Sequence, residues 1–416
     1  MEVAKENKLV PELRFKEFTH DWYSKKLSEL FTFKNGINAS KEDYGSGYKF
    51  INVLDIIENT FITHDRIKGE VNVSKDIFNK NIVEYGDVLF QRSSETRAEV
   101  GQANVYLDKN KPATFGGFVI RGKKIDNYDP NFMNYLLKTS TSRKEITTKS
   151  GGSTRFNVGQ EVLSSVNIYS TVISEQQKIA SFLSKVDEKI TLLTKKKELL
   201  EEYKKGVTQK IFKQEIRFKI PNEAGVLVEP LKWEKRKLGD YLEHKSKRNK
   251  QLIVETILSV SNSKGFILQS DQFENHRIAS KDVSNYKIVH KNDVAYNPSR
   301  INVGSIAILK DFDVGIISPM YVVFSLKNGL ELSFFESLIE THLFKHLVKV
   351  GCSGSVRDSL NFEDLENFKL SLPKEVEEQQ KIASFISSID KKISAVVQQL
   401  SLAKEWKKGL LQKMFV

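Results

Sequence analysis

Two short stretches carry side chains suited to reading nucleic-acid bases. Gln91-Arg92-Ser93-Ser94-Glu95-Thr96-Arg97 follows the apolar run Gly86-Asp87-Val88-Leu89-Phe90, and Tyr296-Asn297-Pro298-Ser299-Arg300-Ile301-Asn302 follows Lys291-Asn292-Asp293-Val294-Ala295. Arginine pairs bidentately with guanine, Asn and Gln with adenine, and Ser or Thr can bond phosphate or base. Gln91, Arg92, Ser93, Ser94 and Arg97 in the first stretch, with Asn297, Ser299, Arg300 and Asn302 in the second, are therefore the candidate DNA contacts; the alternative for each is a solvated turn. Lys245, Lys247, Arg248 and Lys250, in Glu-His-Lys-Ser-Lys-Arg-Asn-Lys, suit phosphate. Arg155 and Arg357 close two Gly-Ser-x-Arg loops, where they either approach phosphate or anchor the loop.

Catalytic chemistry finds little support. Asn297-Pro298 begins like the Asn-Pro-Pro-aromatic motif that holds a flipped adenine, but Ser299 and Arg300 replace the second proline and the aromatic residue. No Gly-x-Gly strand-to-helix signature for a methyl donor occurs. His342 and His346 have the helical spacing of zinc ligands, yet Leu343 stands where a zinc protease needs Glu. Glu243-His244-Lys245 has no convincing strand-borne aspartate before it, as a nuclease site needs, and no P-loop pattern is present. The spacing predicts a chain without a metal or cofactor site of its own.

Sixty-five Lys plus Arg against 53 Asp plus Glu leave a net charge of +12 over 416 residues, which favours a polyanionic partner. The single cysteine, Cys352, rules out an internal disulfide framework and suits a reducing cytoplasm. The N-terminus has no apolar signal region, and no apolar run is long enough to span a membrane.

The elements that must position the candidate loops repeat. Glu175 to Phe212 returns as Glu378 to Phe415 without a gap at an offset of 203, and roughly half of the positions are identical. Val186, Leu193, Leu200 and Val207 recur every seven residues, with Leu183, Ile190 and Ile211 on the companion seam and Lys197 and Lys204 interrupting it. A helix of roughly 38 residues at about 1.5 Å each is near 57 Å long. So narrow an apolar stripe needs a partner helix, and the other copy is the obvious one. Before the first copy lie short β-like runs (Tyr48 to Ile57, Gly86 to Phe90, Gln102 to Leu107, Phe115 to Arg121) and one helical run, Pro130 to Leu137. The second half follows the same plan with little residue identity. Residues before Leu13-Arg14-Phe15 read as loosely ordered, and Pro221 to Pro230 as a linker. The fold class is α+β with a pseudo-twofold internal repeat: globular parts at 1–174 and 214–377, repeat helices at 175–213 and 378–416.

This order, with near-identical helices and divergent globular parts, resembles the specificity subunit of type I restriction-modification systems. The paired Glu-Gln-Gln-Lys-Ile-Ala-Ser-Phe openings, the Lys-Lys-Gly and Gln-Lys closings, Gly86 to Phe90 followed by Arg92, Asn297 to Gly304, and the Gly-Ser loops carry the likeness, which spans essentially the whole chain. The resemblance implies two target recognition domains, each reading half of a split double-stranded DNA sequence. It implies antiparallel pairing of the helices as a ruler between half-sites, docking of two methylation subunits, and restriction subunits beside them. S-adenosylmethionine, and ATP with Mg, are then expected on those partners and not on this chain. Gln176, Lys178, Gln379 and Lys381, shared by both helices and read as surface positions, are the expected docking residues.

Overall fold

The computed structural model describes residues 9–262, 264–272, 282–352 and 359–416. The chain divides into two compact units: Met1–Lys195 with Gln398–Val416, and Lys196–Val397. Both boundaries fall inside the long helices, which run Ile173–Phe212 and Val376–Lys413. Each unit is thus completed by a piece of the other half's helix.

In the first unit a four-stranded antiparallel sheet has the order Phe31–Asn35, Val119–Lys124, Val88–Gln91, Ala103–Val105. In the second, Leu242–Lys245, Val322–Leu326, Val294–Tyr296 and Ile306–Ile308 have the same order and sense. The strands Val88–Gln91 and Val294–Tyr296, central in their sheets, are fully buried along their apolar residues and, in the first, at Gln91 as well. Each unit also joins its entry strand to the strand preceding its long helix, Tyr23–Lys26 with Asn167–Ser170 and Glu234–Lys237 with Lys369–Leu372. The second layers differ. Tyr44–Ile51 belongs to a three-stranded sheet in the first unit, and Ile257–Ser261 to a four-stranded sheet in the second.

Two expectations are corrected locally. The run Tyr48 to Ile57 is not one strand: it breaks at Asn52, whose backbone N–H bonds Asp55 at 2.8 Å and starts the short helix Val53–Glu58. The stretch Pro221 to Pro230 is not a bare linker, because Ile220–Pro221 pairs with Leu227–Val228 as a small hairpin.

The helices pair antiparallel. In the first unit Ile179, Leu183 and Val186 share one core with Leu410, Met414 and Phe415 from the end of the second helix. Phe415 stacks on Phe132 at 5.4 Å and meets Trp22 edge-on at 6.0 Å. In the second unit Val207 and Ile211 join Ile382, Ile386 and Ile389, with Phe212 against Trp233 and Phe334. Burying each aromatic ring contributes about 1.5–3 kcal/mol, so these junctions supply much of what a heptad stripe alone could not. Lys204, one of the seam's interruptions, bonds Asp390 at 2.5 Å, and its repeat counterpart Lys407 bonds Asp187 at 2.5 Å. Paired charges at fixed seam positions discriminate against a slipped register, since a slip would strand both.

Candidate nucleic-acid interface

Each central strand delivers the chain to an exposed loop, and both units build the approach alike. The residue two places before the strand is in the left-handed region, Gly86 at φ 93° and Asn292 at φ 71°, conformations that Gly and Asn tolerate best. The next residue is a buried aspartate acting as a backbone acceptor. Asp87 takes the N–H groups of Glu84 and Lys124, both at 3.0 Å, and Asp293 takes that of His290 at 2.8 Å. Burial pushes both carboxyls above their usual range, against the pull of those N–H groups. The loops are then pinned from the far side, Val158 N–H bonding Arg92 O at 3.0 Å and Leu360 N–H bonding Pro298 O at 3.1 Å.

Within the first loop the side chains divide by role. Arg92, Arg97 and Arg155 are exposed, and Arg97 lies over the Phe156 ring at 5.5 Å. Arg92 borders an open cleft of about 560 Å³ shared with Asn35, Asn157 and Gln160. Ser93 donates to Asn157 at 2.5 Å, where the two-residue strands Ser93–Ser94 and Phe156–Asn157 meet. Gln91 and Ser94 are buried: Gln91 Nε2 donates to Ser93 O at 2.9 Å, and Ser94 Oγ to Glu99 at 3.0 Å. Gln91 Oε1 has no hydrogen-bond partner among the described residues. These two shape the loop, while the arginines are presented by it.

The second loop is a short turn, Ile301–Val303, ended by left-handed Gly304. Ser299, Arg300 and Asn302 are exposed, whereas Asn297 is buried and accepts the Ser299 N–H at 3.1 Å. Lys247, Arg248 and Lys250, elsewhere in the same unit, are exposed. Arg248 and Lys250 both donate to Asn285, at 3.3 and 2.8 Å, and Lys245 is held by Glu243 at 2.7 Å. Lys287 lies antiparallel to Arg248, and burial followed by the Arg248 charge holds its ammonium below its usual range. A cation disfavoured in this way gains from a bound phosphate. Arg357 lies outside the described residues.

The surface reading of two docking residues is corrected. Gln176 is buried, its Oε1 accepting Asp129 N–H at 2.9 Å while Nε2 donates to Thr171 O at 2.7 Å and Ser170 Oγ at 3.2 Å. Gln379 is buried in the same way, accepting Glu331 N–H at 2.7 Å and donating to Gly329 O at 2.8 Å and Pro373 O at 3.0 Å. Both copies keep glutamine because a buried amide satisfies three backbone or hydroxyl groups at the head of the helix. Lys178 pairs with Glu17 at 3.3 Å and Lys381 donates to Lys219 O at 2.6 Å.

Sequence reasoning missed three arginines that position these parts. Arg14 forks onto buried Glu175 at 2.7 and 2.8 Å, and Arg217 onto buried Glu378 at 2.6 and 2.9 Å. Arg143 donates to the carbonyls of Gly101, Val100 and Ala98 at 2.6, 2.6 and 3.0 Å, holding the segment that follows Arg97. Burial pushes its guanidinium down to about 10. The constant separation of Arg14 from Glu175 and Arg217 from Glu378 was the available signal.

Among the described residues no helix is long and apolar enough to cross a membrane, and no group of three or more His, Cys, Asp or Glu side chains could hold a metal ion.

A family model described as type I restriction modification DNA specificity domain matches residues 19–202 and 230–402. The chain is 27% identical over 422 residues to the type I restriction enzyme MjaIX specificity subunit of Methanocaldococcus jannaschii, covering 95% of this chain and 92% of that one. It is 29% identical over 192 residues to the MjaVIII specificity subunit of the same organism, covering 45% and 42%. The crystal structure of the S subunit of a type I restriction-modification system from M. genitalium shares the fold, with a TM-score of 0.58 and 16% identity over 98% of this chain and 99% of that one. A chain from a structure of type I complex assembly and conformational transition superposes with a TM-score of 0.55 and 14% identity, over 95% and 97%.

Proposed function

The chain belongs to the type I restriction-modification DNA specificity family, and on that premise we propose that it reads a split DNA target, one half-site per unit, for partner subunits that do the chemistry. One observation carries this reading. Two units whose first sheets share one topology deliver a corresponding loop from the same strand, yet fill it with different polar side chains. A shared frame with different readers suits two different half-sites, whereas a symmetric target would need no divergence. Arg92 and Arg300 are the principal base readers, Lys247, Arg248 and Lys250 bind phosphate, and Gln91, Ser94 and Asn297 hold the loops.

The proposed docking surface for two methylation subunits is a repeated face of the helices. Leu199, Tyr203 and Gly206 share one face by their spacing, and Leu402, Trp406 and Gly409 are their repeat counterparts. The leucine and aromatic side chains of both sets are at least half exposed. A Cβ added at Gly206 or Gly409 would meet nothing within 4 Å, so packing within the chain does not demand glycine there. Glycine inside a helix is unfavourable by about 1 kcal/mol against alanine, and its presence in both copies fits close approach by a partner. S-adenosylmethionine would belong to those methylation subunits, and ATP with Mg to restriction subunits. This chain contributes recognition and assembly and no catalysis.

The test is to express the chain with its methylation subunit in a methylation-free host and map N6-methyladenine across the genome. A split motif with a fixed spacer is expected, and inserting one turn into both long helices should lengthen the spacer without changing its letters. A co-purifying complex that binds the methyl donor but yields no split motif would favour a protein-binding adaptor instead.

A further inference from the structure

In both units the strand beside the central strand is entered through a four-residue turn closed by one backbone hydrogen bond. Val119 N–H bonds Gly116 O at 2.9 Å, and Tyr321 N–H bonds Ser318 O at 3.1 Å. Strand register makes the turns equivalent, since Phe90 lies opposite Ile120 and Tyr296 opposite Val322. Phe118 and Met320 therefore hold the same place, third in the turn. The turns are otherwise unalike, Gly-Gly-Phe-Val against Ser-Pro-Met-Tyr. Even so, Phe118 is 67% exposed and Met320 62%.

One exposed apolar side chain needs no explanation. Here the same place in two diverged turns keeps a large one, and each stands beside cations of the candidate interface. Arg92 N–H bonds Phe118 O at 2.9 Å, and the Arg92 guanidinium reaches Gly117 O at 3.4 Å. In the second unit Lys287, paired along the backbone with Arg248, donates Nζ to Tyr321 O at 2.6 Å. In the first unit the apolar tip and Arg92 thus belong to one loop cluster, and in the second the tip adjoins the Lys287–Arg248 pair.

We propose that Phe118 and Met320 are specificity-determining residues, each laying its side chain against the C5-methyl group of a thymine in its own half-site. This rests on the reading above that each unit reads one half of a split target. The thymine methyl is the apolar feature of the major-groove edge, and an arginine beside Phe118 is matched to guanine in that groove. A wedge driven between base steps is a minor-groove device and does not fit those neighbours. Phenylalanine offers a broad flat contact and methionine an adaptable one.

The experiment uses the full chain in complex with its methylation subunits and DNA carrying the mapped target, with each thymine replaced in turn by deoxyuridine. That change removes one methyl group and no hydrogen bond. In each half-site one such replacement should weaken binding roughly fourfold, the effect of about one buried methyl. Phe118→Ala should abolish that response in one half-site alone, and Met320→Ala in the other alone, while Phe118→Leu retains it. Because both side chains are exposed, melting temperatures should stay within about 1 °C, an expectation for surface substitutions. Indifference of the wild type to every deoxyuridine, or an undiminished response in Phe118→Ala, would overturn the proposal. Absence of a split motif, or Phe118→Ala altering both half-sites, would overturn the half-site reading on which it rests.

Discussion

In the first unit Arg14 forks onto Glu175 and Gln176 ties down Asp129; in the second Arg217 forks onto Glu378 and Gln379 ties down Glu331. Beyond the central strand the polar side chains cease to match. Arg92 follows Gln91 in one unit, Pro298 follows Asn297 in the other, and the pinned loops then diverge in length and turn type. Parts that attach a globular part to the helices are kept side chain for side chain, while the loops proposed to face DNA share a backbone path and little else. Attachment is the same problem twice, and a buried ion pair has few alternative solutions once its charges are out of water. Readout poses two different problems, and a loop held by backbone hydrogen bonds tolerates new side chains.

The comparison is broken most directly at the clamps. Removing Arg14 or Arg217 leaves a fully buried glutamate without its fork, so each alanine variant should lose about 3 kcal/mol of stability. Glu378 retains the Trp233 indole N–H at 3.1 Å and Glu175 the Thr171 hydroxyl, so the losses should be similar. Chemical denaturation followed by tryptophan fluorescence reads this, and a loss confined to one clamp would deny their equivalence. Gln176→Ala and Gln379→Ala come next, at about 2 kcal/mol each for stranded backbone groups. Native mass measurement should still show two methylation subunits bound; a lost subunit without lost stability would restore the glutamines as docking residues.

The divergent loops give smaller and one-sided effects. Arg92→Ala and Arg300→Ala should each relax discrimination by about 1.5 kcal/mol at a base of one half-site, measured by competition binding with single-base variants. If either variant alters both half-sites, the loops are not independent readers. Smallest of all, Gly206→Ala and Gly409→Ala should raise thermal stability by about 0.5–1 kcal/mol, because a methyl group meets open space and helix propensity improves. The same variants should weaken binding of a methylation subunit; stability gained with full binding would remove the glycines from the docking face.

Much of this organisation was legible in the residues. The repeat, the heptad stripe, the β-like runs and the paired loops were all readable from the residues. Lys204 was visible as a break in the seam, but its pairing with Asp390 was not, since that needs the helix register. Gln176 and Gln379 were visible as shared, yet polarity alone suggested surface, and only the neighbouring backbone groups make burial favourable. Arg143 looked like any helix-surface arginine until the fold laid three carbonyls across it. Phe118 was absorbed into a β-like run because the turn that exposes it has apolar neighbours on both sides.

The sequence by itself determined that the chain is a duplicated α+β protein whose helices pair and whose loops differ, because helix and strand periods are written in adjacent residues. The tertiary structure decided which half completes which unit, which polar groups are buried and which apolar tips are exposed. Those depend on partners far away along the chain, such as Arg14 and Glu175 at a separation of 161 residues. No local pattern encodes such a contact; only the folded chain's packing brings its members into reach.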